Sequence, residues 1–237
     1  MGPQGHAALN KLQAHIPHSD FDPTTSARRF PVVAGAYACA VLAPPLVGRM
    51  TAAAPLAELV IGELSSDVPE RIDARRADFM VGSVLTAPDR FARETLMTED
   101  LTWVVRAGHP LASRKSVDLD ALVSVPHIAI SRTLPGLAED SGDRRAFVSH
   151  ASWEDAGAFD TALSAAGLQR RVGVTVPDTY SALAVAIRTD MAAMLPRRLA
   201  LISAEAGRTV LIDPPYDSPP VDVTLIYLKE RLAEPAI

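Results

Sequence analysis

Asp178, Thr179 and Tyr180 stand between the β-branched run 171–176 (RVGVTV) and an apolar stretch in which Leu183, Val185, Ala186 and Ile187 are spaced for the buried face of a helix. A polar loop that ends a strand and opens a helix presents hydroxyls and free backbone N–H groups to one spot. That chemistry suits a carboxylate or another small anion. Thr189 and Asp190 then make a tight turn, 191–195 reads as a short buried strand, and Pro196 closes it. Strand, loop, helix, turn and strand in about 25 residues is a βαβ crossover. Such units bind small molecules at the carboxyl ends of their strands.

Nothing comparable points to covalent chemistry. The chain has no GxSxG, HExxH, P-loop or GxGxxG. His109 precedes Pro110 in a turn and His127 follows Pro126 at a strand start, so both read as structural. With no nucleophile, base and orienter converging, the expectation is a protein without catalytic activity, cofactor or metal. Cys39 is the single cysteine, which excludes a disulfide framework within the chain and any thiolate metal pattern; in the apolar run ACAVLA it is expected to be a packed core thiol.

The 237 residues are 48% hydrophobic and 22% charged, ordinary material for a globular α/β chain, with a net charge of −5. The arginines are scattered and offset by Asp and Glu, which is no nucleic-acid footprint. There is no secretory h-region and no uninterrupted apolar run of about 18 residues, so the expected location is cytoplasmic, with no membrane partner.

Along the chain, Leu9, Leu12 and Ile16 form one stripe of an amphipathic helix end, followed by a Pro, Ser, Asp and Thr-rich linker up to Arg28. A strand is expected at 30–34, a loop at Gly35 and Ala36, and a helix at 37–50 that Pro44 and Pro45 kink or delay. Then come a strand at 57–63, a helix from Asp67 to Arg76 with Pro69 in its first turn, and a strand at 79–82. A strand-rich segment at 94–106, a short helix at 119–123, a strand at 127–131, an irregular stretch, a helix at 158–167 and the βαβ unit follow. Strands at 209–213 and 221–228 end the chain. The layout is α/β: two Rossmann-like lobes joined by crossing strands.

The segments FDPTTSARRF, YACAVLAPPLVGRM, DVPERIDARRADFMVGS, LTWVVRAGHPLAS, VPHIAIS, FDTALSAAGLQRRV and TDMAAMLPRRLA, in this order and spacing, resemble the effector-binding domain of LysR-type transcriptional regulators. The resemblance covers nearly the whole chain and implies the fold of type II periplasmic binding proteins. It implies the end of a linker helix and linker at 1–29, lobe I at 30–100 and 199–237, and lobe II at 101–198. It further implies a small-molecule effector, a homodimer or tetramer, and DNA contact only through a winged helix-turn-helix lying outside this chain. A free-standing solute-binding protein of a transporter is the alternative.

By the resemblance, effectors sit in a cleft between the lobes, lined by the loops at 35–37, 65–67, 131–133 and 178–180. Gly35, Ala36, Tyr37, Ser65, Ser66, Ser131, Arg132 and Thr179 are therefore the candidate effector-binding residues. Ser65 and Ser66 either bond an effector or cap the helix that starts near Val68. Ser131 matches a ligand-lining Ser of the family, and Arg132 could pair bidentately with a carboxylate or stand as a solvated loop charge. Where the family commonly has Ser and Asp, this chain has Gly35 and Ala36, leaving only backbone N–H groups in that loop. The segment 132–158 is longer than the family pattern and carries Asp140, Asp143, His150, Trp153, Glu154 and Asp155.

Overall fold

The structure is a computed structural model, and it describes residues 22–65, 67–131, 148–149 and 156–233. Two five-stranded sheets form the frame. The first contains β1 (Arg29–Ala34), β2 (Glu58–Gly62), β3 (Phe79–Gly82), β5 (Phe91–Glu99) and β12 (Val221–Leu228), in the order β2-β1-β3-β12-β5. The second contains β6 (Leu101–Arg106), β7 (His127–Ile130), β9 (Val172–Val176), β10 (Ala192–Pro196) and β11 (Thr209–Ile212), in the order β11-β6-β10-β7-β9. In each sheet three strands run parallel, as the βαβ patterns predict. One strand in each, β12 in the first sheet and β6 in the second, runs antiparallel to both its neighbours, which sets the strand beyond it, β5 or β11, back in the common direction, so both sheets are mixed.

The helices are α1 (Ala36–Val41), α2 (Ala43–Ala53), α3 (Val68–Asp73), α4 (Leu119–Val123), α5 (Ala156–Ala166), α6 (Thr179–Ala186) and α7 (Arg197–Glu205). The helix expected at 37–50 is two helices meeting at Leu42. Pro44 and Pro45 lack the N–H that a continuing helix needs, but they suit the first turn of a new one. α3 stops at Asp73 instead of Arg76, because Arg75 takes a left-handed φ of 56° and the Arg76 N–H turns back onto the Arg71 carbonyl at 2.7 Å. α7 was not expected. Its buried Leu199, Ala200 and Ser203 alternate with exposed Leu201 and Ile202, which blurs any single apolar stripe.

The chain crosses between sheets twice. The segment at 94–106 is not one strand-rich unit of one sheet: β5 ends at Glu99, Asp100 crosses, and β6 begins the second sheet. The return comes at 213–220. α7 and β11, which the sequence reading placed in lobe I with 199–237, therefore belong with the second sheet, where β11 pairs antiparallel with β6 from Thr209↔Arg106 to Ile212↔Trp103. A small third sheet pairs β4 (Val84–Thr86), which follows β3, with β8 (Val148–Ser149), which follows β7.

Three apolar clusters hold this together. Val33, Val68, Ile72, Phe91 and Ile226 fill the first lobe, and Leu101, Trp103, Leu122, Phe159 and Leu163 fill the far side of the second. The third joins the lobes: Tyr37 of α1 and Val223 of β12 pack with Val104, Ile128, Leu195 and Leu199. Burying such side chains contributes about 1.5–3 kcal/mol each, so the lobes are held by shared core as well as by chain connections.

Candidate functional site

β1 and β9 each lead into a helix, α1 and α6, and α1 packs against α6 and α7 across the boundary between lobes. Gly35 precedes α1 in extended conformation, and no side chain caps that helix. A Cβ on Gly35 would lie 3.2 Å from Cδ1 of Leu64, closer than ordinary contact, so the loops after β1 and β2 leave little room for a side chain there. Ala36 is half-buried and contributes only backbone polar groups.

Tyr37 is turned inward. Its ring is 1% exposed, and its hydroxyl donates to Oε2 of Glu99 at 2.6 Å. Burial, and secondarily that carboxylate, push the phenol far above its ordinary range, so it remains a donor at any physiological pH. This geometry makes Tyr37 a packing residue whose hydroxyl is given to Glu99.

α6 opens as the sequence predicts. Asp178 is its N-cap, accepting from the backbone of Tyr180 at 2.8 Å and Ser181 at 2.9 Å and from the Ser181 hydroxyl at 2.7 Å. Two of the free N–H groups and part of the positive helix end are thus satisfied internally. Thr179, the next residue, is 2% exposed, and its Oγ1 has no hydrogen-bond partner among the described residues. Tyr180 beside it is half exposed.

Ser131 follows β7 and donates its N–H to the Val176 carbonyl at 2.9 Å, which places it beside the end of β9 and hence near Asp178. Ser65, after β2, is exposed, and its hydroxyl donates to Asp67. It does not cap α3: Asp67 occupies the N-cap position and no side chain accepts from that helix start. Arg71, one turn into α3, reaches back to the Glu63 carbonyl at 3.3 Å, and a Cβ on Gly62 would lie 2.9 Å from its Nη2. α1, which carries Ala36 and Tyr37 and follows Gly35, packs against α6, which opens at Thr179; Ser131 lies beside the end of β9, and Ser65 follows β2 in the first lobe. Ser66, Arg132 and the residues named in 132–158 up to Asp155 lie outside the described residues.

Cys39 is exposed, which corrects the expectation of a core thiol: α1 turns Tyr37 and Ala38 inward and Cys39 out. His109 and His127 are structural, as expected. His109 Nδ1 accepts from the Leu111 N–H at 3.0 Å, and His127 Nε2 meets the Leu122 carbonyl at 2.9 Å.

The sequence reading missed Glu99 and Arg198. Glu99 is fully buried and accepts from Tyr37, from the Arg198 backbone N–H at 2.9 Å and from the Arg198 guanidinium, whose charge it strengthens. An acid ending a strand and a Pro-Arg-Arg triplet opening a helix were the available signals, but nothing in their spacing pairs residues 99 and 198.

Among the described residues no group of three or more His, Cys, Asp or Glu could hold a metal ion, and no helix is long and apolar enough to cross a membrane. A family model described as the LysR substrate binding domain matches residues 24–237. The HTH-type transcriptional regulator SyrM 1 of Sinorhizobium fredii is 28% identical over 188 residues, 79% of this chain and 49% of that protein. The chain therefore spans about half the length of that curated relative. Among solved structures, a probable transcriptional regulator, PA0477, from Pseudomonas aeruginosa superposes with a TM-score of 0.69 at 26% identity, covering 95% of this chain and 70% of its own. The regulatory domain of MexT, a transcriptional activator in Pseudomonas aeruginosa, gives 0.68 at 22% identity, covering 88% of this chain and 94% of its own.

Proposed function

The chain belongs to the LysR substrate binding domain family, and we propose that it senses a small aromatic compound or organic acid bound between its two lobes. The observation that carries this reading is the buried Thr179 hydroxyl, which has no partner among the described residues and opens α6, a helix that packs against α1 of the other lobe. A buried hydroxyl left unpaired costs about 1–3 kcal/mol, and a ligand oxygen or nitrogen beside it recovers that cost.

In this reading Gly35 and Ala36 offer backbone N–H groups, Ser131 and Thr179 offer hydroxyls, and Ser65 closes the first-lobe side. Tyr37 serves as a wall, its hydroxyl already given to Glu99. Effector binding favours one lobe arrangement over another, a population shift that alters how copies of the protein assemble and hence how the attached DNA-binding domains are presented. The relatives are transcriptional regulators, so the transporter solute-binding protein is not the favoured alternative.

Thermal unfolding against a panel of aromatic carboxylates, phenols and small organic acids tests the proposal, repeated with Thr179→Val and Ser131→Ala. A ligand present at about 100 times its Kd adds roughly 2.7 kcal/mol, several degrees for a chain of this size. A shift seen in the wild type and lost in Thr179→Val places the effector at the lobe boundary. A shift that survives both substitutions places it elsewhere and overturns the site.

A further inference from the structure

α7 has no N-cap of its own. Pro196 stands at that position and offers no side-chain acceptor, so the first N–H groups of the helix need partners from elsewhere. They find them on the first crossing between the lobes: the Arg197 N–H donates to the Asp100 carbonyl at 2.8 Å, and the Arg198 N–H to Oε1 of Glu99 at 2.9 Å. The side chains repeat the pattern. The Arg198 guanidinium bonds Glu99 and, at 2.9 Å, the Thr98 carbonyl, while the Arg197 guanidinium bonds Asp213, where the second crossing begins. Two consecutive arginines at one helix start thus hold both segments by which the chain passes between sheets.

The third arm comes from the first lobe. Tyr37, in the first turn of α1 and directly after Ala36, gives its hydroxyl to the same Glu99 carboxylate. Glu99 is fully buried, so its charge depends on these donors and water cannot replace one that leaves.

We propose that Tyr37, Glu99 and Arg198 form a latch that couples α1 of the first lobe to the first turn of α7 of the second, so that a displacement at Gly35–Tyr37 is transmitted to α7. When α1 moves, Oε2 of Glu99 loses the phenol, and the carboxylate must settle wholly on Arg198. The capping bond to the Arg198 N–H shares that carboxylate and changes with it. α7 carries Leu201 and Ile202 on its exposed face, so the latch connects the start of α1 to a surface on the other lobe. The coupling is a property of the chain without ligand and does not depend on where an effector binds.

Amide hydrogen exchange resolved by residue tests it on the full 237-residue chain, with Tyr37→Phe and Glu99→Gln. Tyr37 shares the Glu99 carboxylate with the Arg198 amide, and Tyr37→Phe is expected to speed exchange at Arg198 by about fivefold or more, with amides of α4 and β9 unchanged. Glu99→Gln keeps the shape and removes the charge, and it is expected to speed exchange at Arg198 and in α1 together. Faster exchange in α1 alone, or uniform acceleration across both lobes, overturns the latch, as does wild-type exchange in Glu99→Gln. Should Glu99→Gln not fold, Tyr37→Phe decides by itself.

Discussion

The rings of Trp103 and His127 lie with centroids 4.8 Å apart in the core of the second lobe, where Phe159 stands 4.8 Å from the indole and 5.4 Å from the imidazole. The Leu122 carbonyl can only accept, so Nε2 of His127 carries a proton, while Nδ1 is buried with no hydrogen-bond partner among the described residues, the pattern of a neutral ring. A charged imidazole has no place among these rings. Burial holds its pKa below the ordinary value, outweighing the Leu122 carbonyl, which pulls the other way. Burial does the same at His109.

The sign of the pH effect follows. Below about pH 6.5, the ordinary histidine value, the unfolded chain takes up protons that the folded chain refuses, so stability is full above that pH and falls as the pH drops toward the lowered folded values. The melting temperature is therefore expected to decline from pH 7.5 to pH 5. His127→Phe keeps an aromatic ring, orphans the Leu122 carbonyl at a cost of about 1–3 kcal/mol, and removes part of the slope; His109 retains the rest. An unchanged slope in His127→Phe would show that the ring titrates freely.

Asp78 carries a second buried charge. It meets Arg231 at 2.5 Å, both side chains 5% exposed, and the half-buried Arg28 at 3.3 Å. Asp78→Asn removes the buried charge that Arg231 and Arg28 share, a loss of about 3–5 kcal/mol. At about 2–4 °C per kcal/mol for a chain of this length, the melting temperature should fall by roughly 6–20 °C. Arg28→Gln, which removes only the more exposed partner, should change it far less. Equal effects in calorimetry would mean that the Arg231 pair does not carry the junction.

Local pattern made much of this frame legible. The strands at 79–82 and 221–228 and the helix at 119–123 were read from alternation and capping at the bounds the structure shows, because Gly, Pro and Asp mark their ends. What failed was long-range pairing. The break at Asp100 lies between a largely polar strand and an apolar one, and a single Asp there reads like any turn, so nothing local marks the change of sheet. β11 was misplaced for a related reason: a four-residue strand does not announce which sheet it joins. In the site, Asp178 was legible as a cap because its bonds are local. Glu99 and Arg198, 99 residues apart, were not.

Arg75 offers a test of backbone strain. Its φ of 56° lies in the left-handed region, where a Cβ costs about 1 kcal/mol and glycine costs little. Its contact with Glu230, 3.5 Å between two exposed side chains, contributes almost nothing. Arg75→Gly gains the relief of strain and gives back part of it in unfolded-chain entropy, so a net stabilisation of about 0.5 kcal/mol is expected by denaturant titration. Destabilisation would assign the position to the Arg75 side chain's other contacts.

The exposed apolar side chains bear on assembly. Leu46 and Val47 of α2, Val60 of β2, Leu56 just before it, and Leu201 and Ile202 of α7 are each more than 40% exposed or at that level, two sets from different lobes. β2 is an edge strand of the first sheet, with an unpaired backbone face. The resemblance implies a dimer in which the first-lobe helix and strand β2 pair antiparallel across copies. Since a twofold axis makes each copy give and receive the same contact, one substitution acts twice. Sedimentation velocity is expected to show a dimer for the wild-type chain. Leu46→Glu, placed on that helix, is expected to shift it to monomer, whereas Leu85→Glu, an equally exposed leucine on β4, leaves the dimer intact. A wild-type chain that is monomeric at high concentration removes this interface, and a Leu46→Glu chain that still dimerises moves it off α2.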